Sequence, residues 1–332
     1  MHPSHASSPS EHPHARDRSS ALAHHAIDGF PAVTLRNASI ATTIVPALGA
    51  RMISLHATTP GAREWMWAPP DHRGLFACAP DTAFENGPAA GLDECIPTVA
   101  LCTMDGTAIA DHGEVWSRAW DYDPSAETDA ITTRIALRSW PLSFQRRVSL
   151  DGSSVHFDYT LVNTADRAVP YLWAFHPLFT LGARDEIELV GTSDVRVTGS
   201  LGSPLKTGDR GPWPTPHSGV RLDLAALGAD GAPGTPAQCK AFLATAHAPR
   251  IALVDRARGQ RLTLAVDPAQ LPAWGYWVSR GGWHGHTHVA LEATNAPADA
   301  LTDLTPGPAT HTLASRETRT WRVTLTLDTV SR

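Results

Sequence analysis

The chain is 332 residues long, enough for one large β domain or two average ones with a sizeable core. Hydrophobic residues make up 42% and charged residues 18%, a balance that excludes a wholly disordered chain. A formal net charge of -6 without basic clusters argues against a nucleic-acid partner, and no apolar run is long enough to cross a bilayer as a helix, so no membrane partner is expected either.

Met1 to His25 is rich in His, Ser, Pro and Ala and has no apolar centre, so it does not read as a signal peptide. With little apolar surface to bury, residues 1–28 are expected to form a disordered tail ahead of one domain spanning residues 29–332. The tail histidines (His2, His5, His12, His14, His24 and His25) read as solvated rather than metal-binding. Cys78, Cys95, Cys102 and Cys239 form no Cys-x-x-Cys pair, which gives neither a disulfide framework nor a zinc site. A reducing cytoplasm is the expected location.

Further along, Gly91-Leu92-Asp93-Glu94-Cys95-Ile96-Pro97-Thr98 places two adjacent acids in a loop bounded by glycine and proline. Ala110-Asp111-His112-Gly113-Glu114-Val115-Trp116 puts a histidine in a turn-like setting before an aromatic. Ile131 to Leu150 reads as two strands with a break near Pro141. Positions 155, 157, 159 and 161 are Val, Phe, Tyr and Leu, with polar residues between them, the period-two pattern of a half-buried strand. In Tyr171-Leu172-Trp173-Ala174-Phe175-His176-Pro177-Leu178-Phe179 an imidazole directly precedes a proline. Proline fixes its own φ and pushes the residue before it towards extended geometry, so His176 is held on stiff backbone. The plain alternative is a core histidine bonded to a carbonyl.

Thr207 to Ser218 and Ala229 to Pro236 read as loops, and Leu222 to Leu227 is too short for more than a helical turn or two. Arg261 to Asp267 and Trp321 to Leu327 alternate as strands again. The prediction is all-β, a large antiparallel sandwich with few short helices. No dinucleotide or phosphate-loop motif occurs, so no cofactor is expected. In Val289 to Asn295, Glu292 sits inside an apolar strand-like run, where a carboxylate is costly unless paired or functional. Two histidines and one such glutamate are the minimum kit for acid–base chemistry near neutral pH. His284, His286 and His288 would share a face with Glu292 on a regular strand and could hold a metal. Gly281, Gly282 and Gly285 point instead to a loop, so no metal is expected.

Four pieces carry a family resemblance: Gly91 to Thr98, Asp111 to Trp116, Phe175 to Phe179, and Leu271 to Trp283 followed by Leu291-Glu292. In this order they resemble the aldose 1-epimerase, or galactose mutarotase-like, superfamily over most of the chain after about residue 40. The resemblance implies a mutarotase-like β-sandwich and an isomerase that interconverts α and β anomers of an aldose without metal or cofactor. Ring opening needs a base at the anomeric hydroxyl and an acid at the ring oxygen, and closure reverses both transfers. By resemblance Glu292 is the base, His176 the acid, and His112 a hydrogen-bond partner of the ring or a neighbouring hydroxyl. With reference pKa values of about 4.3 for Glu and about 6.5 for His, the carboxylate is ready as base at neutral pH and the imidazole is near its switching point. Asp93 or Glu94 could bind sugar hydroxyls or line a solvated loop edge. Trp116, Trp277 and Trp283 could stack on a pyranose or pack in the core.

The chain departs from the family pattern in its early Gly-rich loop. Galactose mutarotases carry an Arg-Asn pair there, and Phe84-Glu85-Asn86-Gly87 occupies the comparable stretch. Arg51 fits the start of a structural strand better than that site, and Ala293 stands where many relatives have proline. Galactose specificity is therefore not carried over, and a small-molecule aldose or aldose phosphate is the expected substrate. Arg73, Arg118 and Arg280 are the arginines near the motifs that could hold a phosphate. Two other readings remain open: a non-catalytic sugar-binding or sensing protein on the same fold, and a carbohydrate lyase or hydrolase.

Overall fold

The alternation read from residue 155 onward is realised in full. In the structure, a computed structural model, the strand Ser154–Asn163 buries every second side chain, from Val155 to Asn163. It pairs antiparallel with Leu142–Asp151 on one side and Thr318–Thr329 on the other. These belong to an eight-stranded sheet that also holds Gln260–Val266, Arg250–Asp255 and Asp185–Val190 towards one edge, and Ala130–Ala136 and Asp121–Tyr122 towards the other. The break near Pro141 falls between Ala130–Ala136 and Leu142–Asp151, as predicted. The structure describes residues 20–70, 75–80, 82–182, 184–214, 237–305 and 309–331. The predicted helical turn at Leu222 to Leu227, the loop Ala229 to Pro236 and Arg73 lie outside them.

The second sheet has eleven strands. In spatial order they are Ala21–Ile27, Phe30–Arg36, Ile40–Val45, Arg51–Ala57, Leu92–Cys95, Ala174–Phe179, His286–Thr294, Ala273–Trp283, Ala237–Ala244, Asp194–Leu201 and Arg210–Pro212. The two sheets share one apolar core, in which Phe157 of the smaller sheet meets Phe175 of the larger edge to face at 5.1 Å. Several central strands of the larger sheet are buried on both faces; Ile40–Val45, Leu92–Cys95 and Ala174–Phe179 have no exposed residue. One face lies on the core, and loops cover the other. Among the described residues the only helices are short 3-10 turns, and no helix is long and apolar enough to cross a membrane.

Three expectations are corrected. The tail was drawn too long: Ala21–Ile27 is an edge strand paired with Phe30–Arg36, and residues 1–19 lie outside the described residues. Asp28 and Gly29, both at positive φ, close this hairpin as a two-residue turn. Within the predicted loop from Thr207, Arg210–Pro212 forms a short strand. The loop expected around Gly281 to Gly285 is confined to a turn at His284 and Gly285, because Ala273–Trp283 and His286–Thr294 form one long hairpin.

Candidate active site

Strand pairing places the two principal candidates side by side. His176 lies on Ala174–Phe179 and Glu292 on His286–Thr294; the register pairs Leu178 with Ala290 and Ala174 with Thr294. By the period of two, His176, Leu178, Ala290 and Glu292 share the loop-covered face. His176 Nε2 stands 3.9 Å from Glu292 Oε1. On the far side of Glu292 the strand partner is Gly275, where an added Cβ would lie 2.6 Å from Glu292 Oε2. Glycine at 275 leaves the room in which the carboxylate sits.

His112 arrives from a turn rather than a strand. It has φ of 59° and Gly113 follows at 71°; a Cβ on Gly113 would overlap the Ile96 carbonyl. The turn is therefore pressed against backbone, and the His112 ring stacks on Phe84 at 3.8 Å. Its Nδ1 is 3.0 Å from Asp111 Oδ1, which assigns the proton to Nδ1 and leaves Nε2 for other partners. The His112 and His176 rings meet edge to face at 5.0 Å.

These groups line a cavity of about 290 Å³, near the lower end of the usual range for small-molecule sites, about 300–1,000 Å³. Trp277 and Trp283 supply aromatic wall, with Phe84 and His288, and Leu178 adds an aliphatic patch. Trp277 donates from Nε1 to His288 Nε2 at 3.1 Å. Burial, with His286 nearby, pushes His288 down to about 3, so it is a neutral acceptor.

The cavity also contains Lys240 and Asp299, which the sequence reading did not single out. Lys240 Nζ donates to both oxygens of Glu292, at 2.9 and 2.7 Å, and lies 3.5 Å from Asp299 Oδ1. A signal for it was present: the chain has only two lysines, and Lys240 is the one in a mainly apolar strand-like run. Burial raises the Glu292 carboxyl above its ordinary value while Lys240 pulls it down. Burial acts on Lys240 in the opposite sense, but Glu292 and Asp299 outweigh it and hold the ammonium in its charged form.

His176 is held well below the ordinary imidazole range, by burial first and then by His112, Lys240, His288 and Arg51. The expectation of a histidine near its switching point at neutral pH is thus corrected. His176 is therefore neutral at neutral pH, because burial disfavours its charge and cationic groups lie close by.

Other expected site residues lie elsewhere. Asp93 and Glu94 are not in a loop but on the buried strand Leu92–Cys95, and neither lines the cavity. Asp93 meets Arg51 through both oxygens, at 2.7 and 3.0 Å, and burial lifts it to about 6. Glu94 faces the core and accepts from Arg146, Tyr159 and Trp173 at 2.8 to 3.0 Å. Both acids are committed to internal partners. Trp116 is 1% exposed, packs against Gly87 and Phe84, and supports the His112 turn from behind. Of the tryptophans offered as stacking surfaces, Trp277 and Trp283 reach the cavity. His284 turns towards Glu85 at 3.6 Å, so the three alternating histidines do not converge. Arg118 pairs with Glu114, and neither it nor Arg280 lines the cavity.

Comparison with solved structures gives matching folds at low identity. A protein of Synechocystis sp. PCC 6803 superposes with a TM-score of 0.65 at 14% identity, covering 97% of this chain and 100% of that one. A galactose mutarotase-like protein from Clostridium acetobutylicum gives 0.63 at 11% identity, covering 93% and 98%. A galactose mutarotase related enzyme from Lactobacillus acidophilus gives 0.61 at 17% identity, covering 90% and 97%. A search of curated proteins returned no significant match. The sequence model of the family described as aldose 1-epimerase matches residues 31–326, which includes every residue of the cavity wall. On that match the chain belongs to the aldose 1-epimerase family.

Proposed function

We propose that this protein is an aldose 1-epimerase acting on an unphosphorylated monosaccharide, with Glu292 as the base and His176 serving the ring oxygen. The observation that carries this reading is the meeting of Glu292, His176 and His112, from distant parts of the chain, on one small cavity. A sugar-binding protein needs hydroxyl partners but has no need of a base beside an imidazole.

Glu292, ionised against Lys240, takes the proton of the anomeric hydroxyl as the bond between the anomeric carbon and the ring oxygen breaks. His176, having taken a proton from solvent once the sugar is bound, gives it to the ring oxygen and returns to the neutral form, and the open aldehyde rotates before both transfers reverse. A hydroxyl bound between Lys240 and Glu292 would draw the ammonium away from the carboxylate. The field of Glu292, 3.9 Å from His176, then acts on the imidazole with less opposition and raises its proton affinity. His112 donates or accepts at a neighbouring oxygen, and Trp277 offers a flat apolar wall to the pyranose.

Charge on the wall favours a neutral substrate. Lys240 is the one permanent cation among the described wall residues, against Glu292, Asp299 and Asp111. A phosphate would meet net negative charge and a lysine already paired twice. Cytoplasmic location remains part of the proposal.

The test follows freshly dissolved α-glucose and α-galactose to anomeric equilibrium by polarimetry or NMR. Wild type should accelerate at least one sugar, and Glu292→Gln should lose about 10²–10⁴-fold of that rate while still binding it. Sugar binding without acceleration by wild type would support the non-catalytic reading, and acceleration confined to hexose phosphates would remove the charge argument.

A further inference from the structure

Beside the cavity lies a donor set in which Cys95 joins the two histidines of the isomerase reading. Cys95 Sγ and one ring nitrogen each from His112 and His176 lie within 4.8 Å of one another. They come from the strand Leu92–Cys95, the turn at Asp111 to Gly113 and the strand Ala174–Phe179, so the cluster is assembled by tertiary structure. Cys95 is a free thiol, fully buried, with no disulfide. A second observation points to a ligand: His176 is 6% exposed, and its Nδ1 has no hydrogen-bond partner. His112 commits Nδ1 to Asp111, the arrangement by which a carboxylate orients a metal-binding imidazole and leaves Nε2 to coordinate. Glu292 lies 3.9 Å from His176 but outside the cluster, so three protein donors would leave one position of a four-coordinate ion open.

We infer that Cys95, His112 and His176 form a binding site for a thiophilic divalent cation of the zinc type. One thiolate and two imidazoles are a donor set that suits zinc, which takes four ligands in a tetrahedron at about 2.0–2.1 Å to nitrogen and about 2.3 Å to sulfur. Such a tetrahedron needs donors roughly 3.5 Å apart. The observed separations are longer by up to roughly 1 Å, so a bound ion would draw the three side chains together by that amount. Hard cations such as magnesium prefer oxygen donors and are not expected here. An ion bound there would engage both histidines and occupy the floor of the sugar cavity. The inference is about binding and stands whether or not the protein turns over a sugar.

The experiment uses cobalt(II) as a spectroscopic probe of the full-length protein with reduced thiols. The expected result is a thiolate-to-cobalt charge-transfer band that saturates at one equivalent and is displaced by zinc. The band should vanish in Cys95→Ser and weaken at least tenfold in apparent affinity in His112→Gln, both checked for fold by circular dichroism. Should Cys95→Ser fail to fold, the His112→Gln titration decides alone, because that side chain lies on the cavity wall. Histidines of the N-terminal segment could bind cobalt but give no thiolate band. Absence of the band in wild type, or its survival unchanged in either folded variant, overturns the inference.

Discussion

Lys240 and Glu292 set the terms at the scale of single residues. A buried ion pair can be worth little relative to an apolar pair, yet removing one partner alone is costly. Lys240→Met leaves Glu292 1% exposed without its counter-charge and should destabilise the fold by about 3–5 kcal/mol. Adding Glu292→Gln should restore part of that loss, which a double-mutant cycle by urea denaturation would read directly. If the two effects simply add, the contact at 2.7 Å does not couple the residues as described. The sequence made Glu292 visible as a carboxylate in an apolar run, but Lys240 became significant only when folding set it across from a residue 52 positions away. Cys95 was passed over for the same reason: spacing rules find ligands that are close in sequence, and its neighbours are brought in from two other segments.

Individual strands divide into those that could be read and those that could not. Leu142–Asp151 and Ser154–Asn163 alternate strictly because one face meets the core and the other meets water. Ala174–Phe179 and Leu92–Cys95 are covered on both faces, so their residues carry no period, and Asp93 and Glu94 passed for a polar loop. The edge strand Ala21–Ile27 was lost to the tail because most of its side chains are exposed, although Asp28-Gly29 was a usable hairpin signal. The pairing of Ala273–Trp283 with His286–Thr294 makes a further prediction. In Gly275→Ala the new methyl displaces the Glu292 carboxylate while the sheet ladder is kept. Sugar turnover should fall by about 10²-fold, the usual consequence of moving a reacting group by about 1 Å. Circular dichroism should stay that of wild type; an undiminished rate would show that the carboxylate tolerates displacement.

For the whole molecule, acid stability is tied to the ion cluster in which Arg63, from the segment after Arg51–Ala57, holds two carboxylates of the smaller sheet. Arg63 reaches Asp185 at 2.7 Å and Asp255 at 3.2 Å, and Arg258 also holds Asp255. Burial would raise the Asp255 carboxyl, but hydrogen bonds from Arg258 and the charges of Arg63 and Arg258 hold it below its ordinary value. A carboxyl depressed in the folded state contributes stability above its unfolded pKa, about 3.9, and that contribution is lost as pH falls through the folded value. The Asp255 contribution, read as the gap in urea midpoint between wild type and Arg63→Met, should therefore be level above about pH 5 and shrink below about pH 4. Arg63→Met should lie below wild type at neutral pH and converge with it in acid; a constant gap between the two curves would exclude this linkage.

The candidate residues occur at positions 112, 176, 240 and 292, and each reaches the cavity only through pairing between segments far apart in the chain. Such non-local topologies fold slowly, since loop closure must precede the contacts that reward it. A nascent chain that has left the ribosome up to residue 285 already contains both histidines and the lysine but lacks Glu292, the proposed base. On the proposed assignment, activity would not build up gradually during synthesis; it would require His286–Thr294 to insert between its two neighbours in the sheet. Anomer exchange would then serve as a clock for the insertion of that one strand.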